Sequence, residues 1–600
     1  MKITSILITT ISLATAYAAA PDGEALYKQR CGICHDGKVQ GRTPAREEIG
    51  SRTPESVYKV MFEGAMMTQS AGLSADEGRA IARYLTGKEF RTAVVSNVGR
   101  CPGNAPPLRM TDTSWNGWGD DVANTRYQSK PGLAAADVSK LKVKWAFGFA
   151  DETVRSAQPT VVGGRVFVGS SSGAIYSLDA ASGCIYWNYD AGATVRTAVS
   201  IGKPAGSNNY VAYFGDTRSF VHALDAATGK ALWKVKIEDH PSSRVTGAPT
   251  FYDGRLYVPV SSIEEASAML PAYECCKFRG SVVALDGATG KQIWKSFSVL
   301  DPPQPTKVSA SGTQQYGPAG AAIWSAPTID AKNKVIYAAT GNSYTNVSIN
   351  TSNAILAIDM ETGSLKWSSQ VLPKDNFTMG CGRGVNCPEE RGPDFDFGSS
   401  PILRELPGGK RVLICGQKSG ILWGIDPDNR GKVLWQTQLG LGSALGGIEW
   451  GSTVDTQYAY AAVSDLINFR NGNKPGGIHA VKLDTGEKIW STPAPALNCA
   501  PGSKGCTGAQ SAAISSMPGV VFSGSVDGHF RAFSAKSGEI IWDFNTVQDY
   551  QTVNGVPGKG GSLDSAGPTI ADGMVFTNSG YGMWQGLPGN VLLAFSVDGK

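Results

Sequence analysis

Charge is close to balanced in this chain and never gathers into blocks. Its 55 lysines and arginines face 51 aspartates and glutamates, a formal net charge of +4 over 600 residues. With no basic run, the electrostatic footprint of a nucleic-acid binder is missing. Long apolar runs are missing too, and past the N-terminus no segment is apolar enough for a membrane helix, so no membrane span is expected. Histidine is scarce, at five residues. No histidine pair stands at metal spacing, and no second C-x-x-C accompanies Cys31-Gly32-Ile33-Cys34, which removes the usual zinc signatures. Glycine, by contrast, is abundant at 73 residues and implies many turns, while a hydrophobic content of 42% can fill large cores.

The N-terminus reads as an export signal. Met1-Lys2 is a positive start, Ile3 to Leu13 an apolar run too short to cross a bilayer, and Ala16-Tyr17-Ala18 an A-x-A cleavage site. A signal peptide over 1–18 and a periplasmic location are therefore expected. Eleven cysteines fit an oxidising compartment. Cys381/Cys387 and Cys499/Cys506 suit short disulfide loops, and Cys101 could pair with Cys184 over distance. Cys275 and Cys276 are adjacent, forming either a vicinal disulfide or two separate pairs. Cys415, in Val412-Leu413-Ile414-Cys415, is then expected as a buried free thiol.

Cys31-Gly32-Ile33-Cys34-His35 carries the first chemistry. C-x-x-C-H is the covalent attachment pattern of a c-type haem, with two thioethers to one porphyrin edge and the histidine as proximal iron ligand. The flanks agree. Glu24 to Arg30 reads as a helix leading into the motif, and Glu63-Gly64-Ala65-Met66-Met67 offers a thioether sulfur. Leu73-Ser74-Ala75-Asp76-Glu77 opens a helix with apolar positions at Ile81, Ala82, Tyr84 and Leu85. Met66 is the expected sixth ligand of the iron and Met67 the alternative.

Beyond this region the chain repeats itself. Leu178-Asp179-Ala180-Ala181-Ser182-Gly183 leads to Trp187, and matching turns lead to Trp233, Trp294 and Trp367. Weaker copies end at Trp435, Trp490 and Trp542, and Trp145 forms one more. Their separations of 42 to 73 residues fit four-stranded blades with variable loops. In each copy a strand such as Arg165 to Gly169 turns into one such as Ala174 to Leu178; an Asp-x-x-Thr/Ser-Gly turn follows, and the next strand carries the Trp. Eight tryptophans imply eight blades, each indole covering on the order of 200 Å² between neighbours. Val591 to Phe595 is expected to close the ring. The expected architecture is an all-β eight-bladed propeller over 111–600, preceded by a small all-α cytochrome c domain over 19–90 and a Pro- and Gly-containing linker over 91–110.

The repeat resembles the tryptophan-docking motif of pyrroloquinoline quinone (PQQ) dehydrogenases, and the resemblance extends to a site. Ile336 to Asn342, ending Thr340-Gly341-Asn342, is similar to the family strand whose Asn ligates a calcium ion held by PQQ. Trp324 stands where the family places an indole floor beneath the quinone. Val260-Ser261-Ser262-Ile263-Glu264-Glu265 resembles the segment bearing the calcium-binding glutamate, Glu265 on that alignment with Glu264 the alternative. Arg244 to Pro249, with Thr246, and Gln417-Lys418-Ser419-Gly420 resemble the segments offering a hydroxyl and a cation. The resemblance thus implies PQQ, Ca²⁺ and one covalent haem c. Thr246, Ser262, Trp324, Lys418, Trp450, Cys275 and Cys276 would line the quinone pocket, and Glu265 and Asn342 would hold calcium. Calcium takes hard oxygen donors and polarises the carbonyl that accepts hydride, while Lys418 would stabilise developing negative charge. Several relatives use a vicinal disulfide as a lid on PQQ, although here the cysteine pair comes later in the chain.

One expected group is missing. The family's alcohol dehydrogenases carry an aspartate soon after Thr-Gly-Asn as proton acceptor, whereas Ser343 to Ala354 contains no acid, and Asn350 or Asn353 there cannot serve as a base near neutral pH. Glu265, Asp394 or Asp396 would have to supply the base. With the haem domain ahead of the propeller and Gly446-Gly447-Ile448-Glu449-Trp450-Gly451, the combination looks like the cytochrome-bearing polyvinyl alcohol dehydrogenases. That implies oxidation of secondary hydroxyls to ketones, with electrons leaving through the haem to an external acceptor such as a soluble cytochrome c. Oxidation of small or cyclic alcohols, or a non-enzymatic propeller scaffold or sensor bearing a cytochrome, are the alternatives.

Overall fold

The structure, a computed structural model, describes residues 20–36, 44–63, 66, 69–70, 73–90, 98–103, 105–150, 152, 156–467, 476–497 and 503–600. The expected signal peptide, Met67, Cys499 and the first part of the expected linker lie outside the described residues. The chain divides into two compact units, Met1–Phe90 and Arg91–Lys600.

The first unit is helical. Gly23–Arg30 is capped by the Asp22 side chain and runs into the short helix Gly32–His35, which carries the haem motif. Arg46–Gly50, Pro54–Glu63 and Ala75–Thr86 complete it. The last of these starts with a capping box, Ser74 and Glu77 each bonding the other's backbone N–H, and stops at Gly87 in a left-handed conformation. Tyr27, Ile49, Val57, Met61, Leu73, Ile81 and Ala82 form its core. Gly23 permits the first helix to cross the last, since a Cβ there would stand 2.1 Å from the Ala80 carbonyl oxygen.

The second unit is an eight-bladed propeller of four antiparallel strands per blade, one blade being extended by the short strand Ser243–Arg244, with two extra hairpins, Gln304–Val308 with Gln314–Gly317 and Asp549–Tyr550 with Gly558–Lys559. The eight repeat tryptophans all fall on outer strands. Seven of their indole N–H groups donate to a backbone carbonyl of the next blade, among them Trp145 to Ala180, Trp187 to Ala226 and Trp542 to Leu141. Each indole of the regular copies lies flat over the turn glycine of the following blade. Gly229, at φ +73°, has room for a Cβ only 2.6 Å from Trp187, so the turn needs glycine for its backbone and for the contact. Trp145 differs from the rest, because its strand Leu141–Gly148 pairs with Val591–Val597 and is the outer strand of the last blade. The two ends of the propeller thus share one blade.

The disulfides Cys101–Cys184, Cys275–Cys276 and Cys381–Cys387 are formed, and Cys415 is a buried free thiol. The adjacent cysteines therefore bond each other. Cys506 is disulfide-bonded as well. Residues around Cys101 belong to the propeller surface rather than to a free tether: Gly99 and Cys101 exchange backbone bonds with Ile185, and Leu108 is buried against the first blades.

Candidate active site

The segments that enter the inner strands converge on the propeller axis. The residue four places before an inner strand lines a central cavity in six blades: Ser156, Arg196, Thr246, Trp324, Gly398 and Ser565, ahead of strands starting at Thr160, Ser200, Thr250, Thr328, Ile402 and Thr569. Trp118 and Trp450 complete its wall, and the Arg196 guanidinium stacks over Trp450 at 5.0 Å. Three expected residues, Thr246, Trp324 and Trp450, therefore meet in one place. Arg196 escaped the sequence reading, yet Arg196-Thr-Ala-Val-Ser stands where other blades have Trp324-Ser-Ala-Pro-Thr and Thr246-Gly-Ala-Pro-Thr. That register was the signal that could have found it.

Beside Trp324 lies a buried ionic cluster. Lys418 follows the strand Arg411–Gly416, and its Nζ is 2.8 Å from Asp396 Oδ2 and 3.6 Å from Asp394 Oδ1. Asp396 Oδ1 accepts the Asn342 N–H at 2.7 Å. The Asn342 amide donates to the carbonyls of Ser343 and Phe377, which leaves Oδ1 as its free acceptor end. Gly341 keeps this space open, because a Cβ there would meet Asp396 Oδ1 at 2.5 Å and Trp324 Nε1 at 3.0 Å. Burial works against the Lys418 ammonium, but Asp394, Asp396, Glu449 and Glu265 outweigh it and hold its pKa well above the usual value. Burial pushes Glu265 up to about 7, with Asp396 adding to the shift and Lys418 opposing it. Burial also raises Asp394 far above the ordinary carboxylate range, against the pull of Lys418.

The two glutamates that the sequence left open take different roles. Glu264 is fully buried, accepting the Tyr273 hydroxyl at 2.9 Å and the N–H groups of Lys277 and Phe278 at 2.8 Å each, with His240 Nε2 3.3 Å away. Burial opposes ionisation, yet His240 and those N–H groups keep its carboxyl below the ordinary range. It is spent on holding the loop that carries Cys275–Cys276. Glu265, next on the short helix Glu264–Ser267, is the one turned to the cluster. Ser262 is fully buried and its hydroxyl accepts the Glu264 N–H at 2.7 Å, so it shapes this turn and is not on the cavity wall. Cys275, Cys276 and Tyr344 pack in one cluster with Trp324. Asn353 donates to Asp375. Besides Glu265 and Glu449, the carboxylates beside Lys418 come from the later loop at Asp394 and Asp396.

A family described as the glucose/ethanol/alcohol dehydrogenase β-propeller domain matches residues 115–381. One described as outer membrane protein assembly factor BamB matches 279–496 and 474–600, and one described as cbb3-type cytochrome c oxidase subunit III matches 18–85. A polyvinylalcohol dehydrogenase of Pseudomonas sp. is 45% identical over 99% of this chain and 97% of its own length. That of Sphingopyxis sp. strain 113P3 is 43% identical over 96% and 93%. The chain belongs to the quinohaemoprotein alcohol dehydrogenases. Among solved structures, the quinohaemoprotein alcohol dehydrogenase ADHIIG of Pseudomonas putida HK5 superposes with a TM-score of 0.61 at 19% identity, covering 82% of the dehydrogenase and 81% of that chain. The Comamonas testosteroni enzyme gives 0.60 at 20% identity, covering 81% of each. These two likenesses speak to the fold. The dehydrogenase is thus a PQQ-dependent alcohol oxidoreductase with a cytochrome domain, and its expected propeller architecture stands.

The side chains of the dehydrogenase fit these groups. Its His35 Nδ1 lies 2.8 Å from the Pro44 carbonyl oxygen. A proton there leaves the lone pair of Nε2 for iron. Cys31 and Cys34 are free thiols, as thioether formation requires, and Met66 packs on the same helical core. At the propeller axis the Trp324 Nε1 is buried without a hydrogen-bond partner. Among the described residues no group of three or more His, Cys, Asp or Glu is disposed to hold a metal ion alone. Glu265 and Asn342 Oδ1 offer the hard oxygen donors that a calcium ion would take.

Proposed function

We propose that the dehydrogenase oxidises secondary hydroxyl groups of polyvinyl alcohol to ketones in the periplasm, passing electrons through its own haem to an external acceptor such as a soluble cytochrome c. The observation that carries the reading is the Asp396–Lys418 pair set against Asn342 and Trp324, because it supplies a carboxylate and a cation where an alcohol must lose a proton and a hydride. The polymer comes from the names of the two relatives above 40% identity.

PQQ, when bound, supplies the two-electron acceptor for hydride from the carbinol carbon. The protein does the rest. Trp324 offers a flat floor and Cys275–Cys276 a cover, so water is kept from the reacting carbon. Arg196, Thr246 and Trp450 supply a cation, a hydroxyl and an aromatic face suited to a tricarboxylated planar ring. Glu265 and Asn342 would hold the calcium ion. Asp396, held in place by the Asn342 N–H on one oxygen and by Lys418 on the other, would take the hydroxyl proton, and Lys418 would stabilise the negative charge that develops on the accepting oxygen.

Purified full-length protein loaded with PQQ and Ca²⁺ should oxidise polyvinyl alcohol, and stopped-flow mixing should reduce its haem before any external acceptor is added. Cys31→Ala with Cys34→Ala should abolish the haem signal and keep dye-linked oxidation. Turnover confined to small or cyclic alcohols would replace the polymer assignment, and a haem left oxidised during turnover would refute the internal route.

A further inference from the structure

A second cavity, of about 320 Å³, opens beside the vicinal disulfide. Cys275 and Cys276 form one wall, the hairpin Gln304–Val308 with Gln314–Gly317 another, and the loop closed by Cys381–Cys387 a third. Tyr344 and Thr345, directly after the Thr340-Gly341-Asn342 turn, complete it. Its two charged lining residues, Lys307 and Glu389, form an ion pair with each other. The remaining surface is neutral, and it mixes aliphatic and sulfur atoms with hydrogen-bonding groups. Three of those groups are unsatisfied: the hydroxyls of Tyr344 and Thr345 and the Asn386 amide oxygen are buried without a partner. Tyr344 is only 2% exposed and Thr345 9%. A buried hydroxyl without a partner requires an explanation, and a small turn of either side chain would bring its hydroxyl to a ligand group in the cavity. The cavity adjoins the reaction site, because Tyr344, Cys275 and Cys276 share one packed cluster with Trp324.

A ligand matched to this lining is uncharged, aliphatic along its length and hydroxylated at intervals. We propose that the cavity is a second substrate site, which takes a hydroxyl neighbouring the one oxidised on the same carbon chain. A repeating 1,3-diol is then held at two points and a mono-alcohol at one. The inference rests on the alcohol oxidation proposed above and names the feature that would select a polymer.

The test compares kcat/KM for polyvinyl alcohol and 2,4-pentanediol with that for 2-pentanol, on the PQQ- and Ca²⁺-loaded full chain. Calorimetric binding of 2,4-pentanediol and 2-pentanol is measured in parallel. Thr345→Val removes one hydroxyl at nearly constant volume and should lower the diol-to-mono-alcohol ratio about three- to tenfold, the range for one neutral hydrogen bond. Tyr344→Phe should act in the same direction. Ala310→Trp, on the exposed rim, should cut the polymer-to-mono-alcohol ratio by obstruction and needs no core change. Unchanged ratios in all three variants would overturn the proposal. If the wild type oxidises none of the three alcohols, the proposed function has failed instead. Calorimetry still decides the subsite: a diol affinity at least threefold above that for 2-pentanol and lost in Thr345→Val sustains it, and equal affinities overturn it.

Discussion

Replacing Lys418 with methionine keeps most of the length of the side chain and removes the cation that acts on both Glu265 and Asp394. In the wild type Lys418 Nζ sits 2.8 Å from Asp396 and 3.6 Å from Asp394, with its side chain 13% exposed. Breaking a buried ion pair on one side costs about 3–5 kcal/mol. The carboxyls can shed part of that cost by taking up protons, at about 1.4 kcal/mol for each pH unit between their folded pKa and the solution. The sign follows from the direction of the shifts. Glu265 and Asp394 already have folded pKa values above their unfolded ones, and Lys418 restrains both, so its loss raises them further. An acid raised by folding costs more stability as pH climbs above its unfolded value. Wild type and Lys418→Met should therefore melt within a degree or so of each other near pH 4.5, and separate by on the order of 3–10 °C at pH 8 in scanning calorimetry, taking about 1–2 °C per kcal/mol for a unit of this size. Turnover at pH 8 should fall about 100- to 1000-fold. A melting difference that is the same at both pH values would refute the electrostatic account of this cluster.

Met66→Ala should abolish the weak near-infrared sulfur-to-iron band while leaving the haem covalently attached, as read by absorption and by haem staining in a denaturing gel; loss of the band in Met67→Ala alone would move the ligand. Glu265→Ala and Asn342→Ala should each weaken activity in a way that added Ca²⁺ partly restores, with the haem spectrum unchanged; an unaltered calcium dependence in both would remove the ion from these residues. Gly229→Ala adds a Cβ 2.6 Å from Trp187, whereas Gly254→Ala meets nothing within 4 Å at almost the same φ, +73° against +74°. The first should thus cost about 1–3 kcal/mol more than the second in denaturant unfolding, and equal costs would refute the role given to the Trp–Gly stack.

The blade count was legible because each blade repeats the same local bargain between an outer-strand indole and the next turn's glycine, over a span of a few dozen residues. The haem pentapeptide was legible for the same reason: its chemistry is held within five consecutive residues. The active site was only partly so. Lys418, Asn342, Trp324 and Glu265 lie in four different segments, and nothing local to Asp394-Phe395-Asp396 states that its loop will fold back onto the Asn342 N–H. No acid stands close behind Thr340-Gly341-Asn342, and the proposed base, Asp396, comes from the loop that leads into the next blade. Alignment with the family favoured Glu265 over its neighbour Glu264, and the closure of the Tyr273 to Phe278 loop over Glu264 supplies the physical reason. Arg196 was hidden because its blade has lost the proline that marks the equivalent position beside Thr246 and Trp324.

The blade shared by the two ends of the propeller sets an order of maturation. Leu141–Gly148 has no strand partner until Val591–Val597 has been made, and the Trp542 indole has no carbonyl to bond until Leu141 is held in place. A chain emerging from synthesis therefore carries an open ring with unpaired edges up to its last strand. The helical N-terminal unit has no such dependence, and its thiols can receive haem while the ring is still open. The candidate site, drawn from loops of most blades around the axis, is complete only on closure. A chain clipped just before Val591 would then remain coloured by its cytochrome and be unable to oxidise anything.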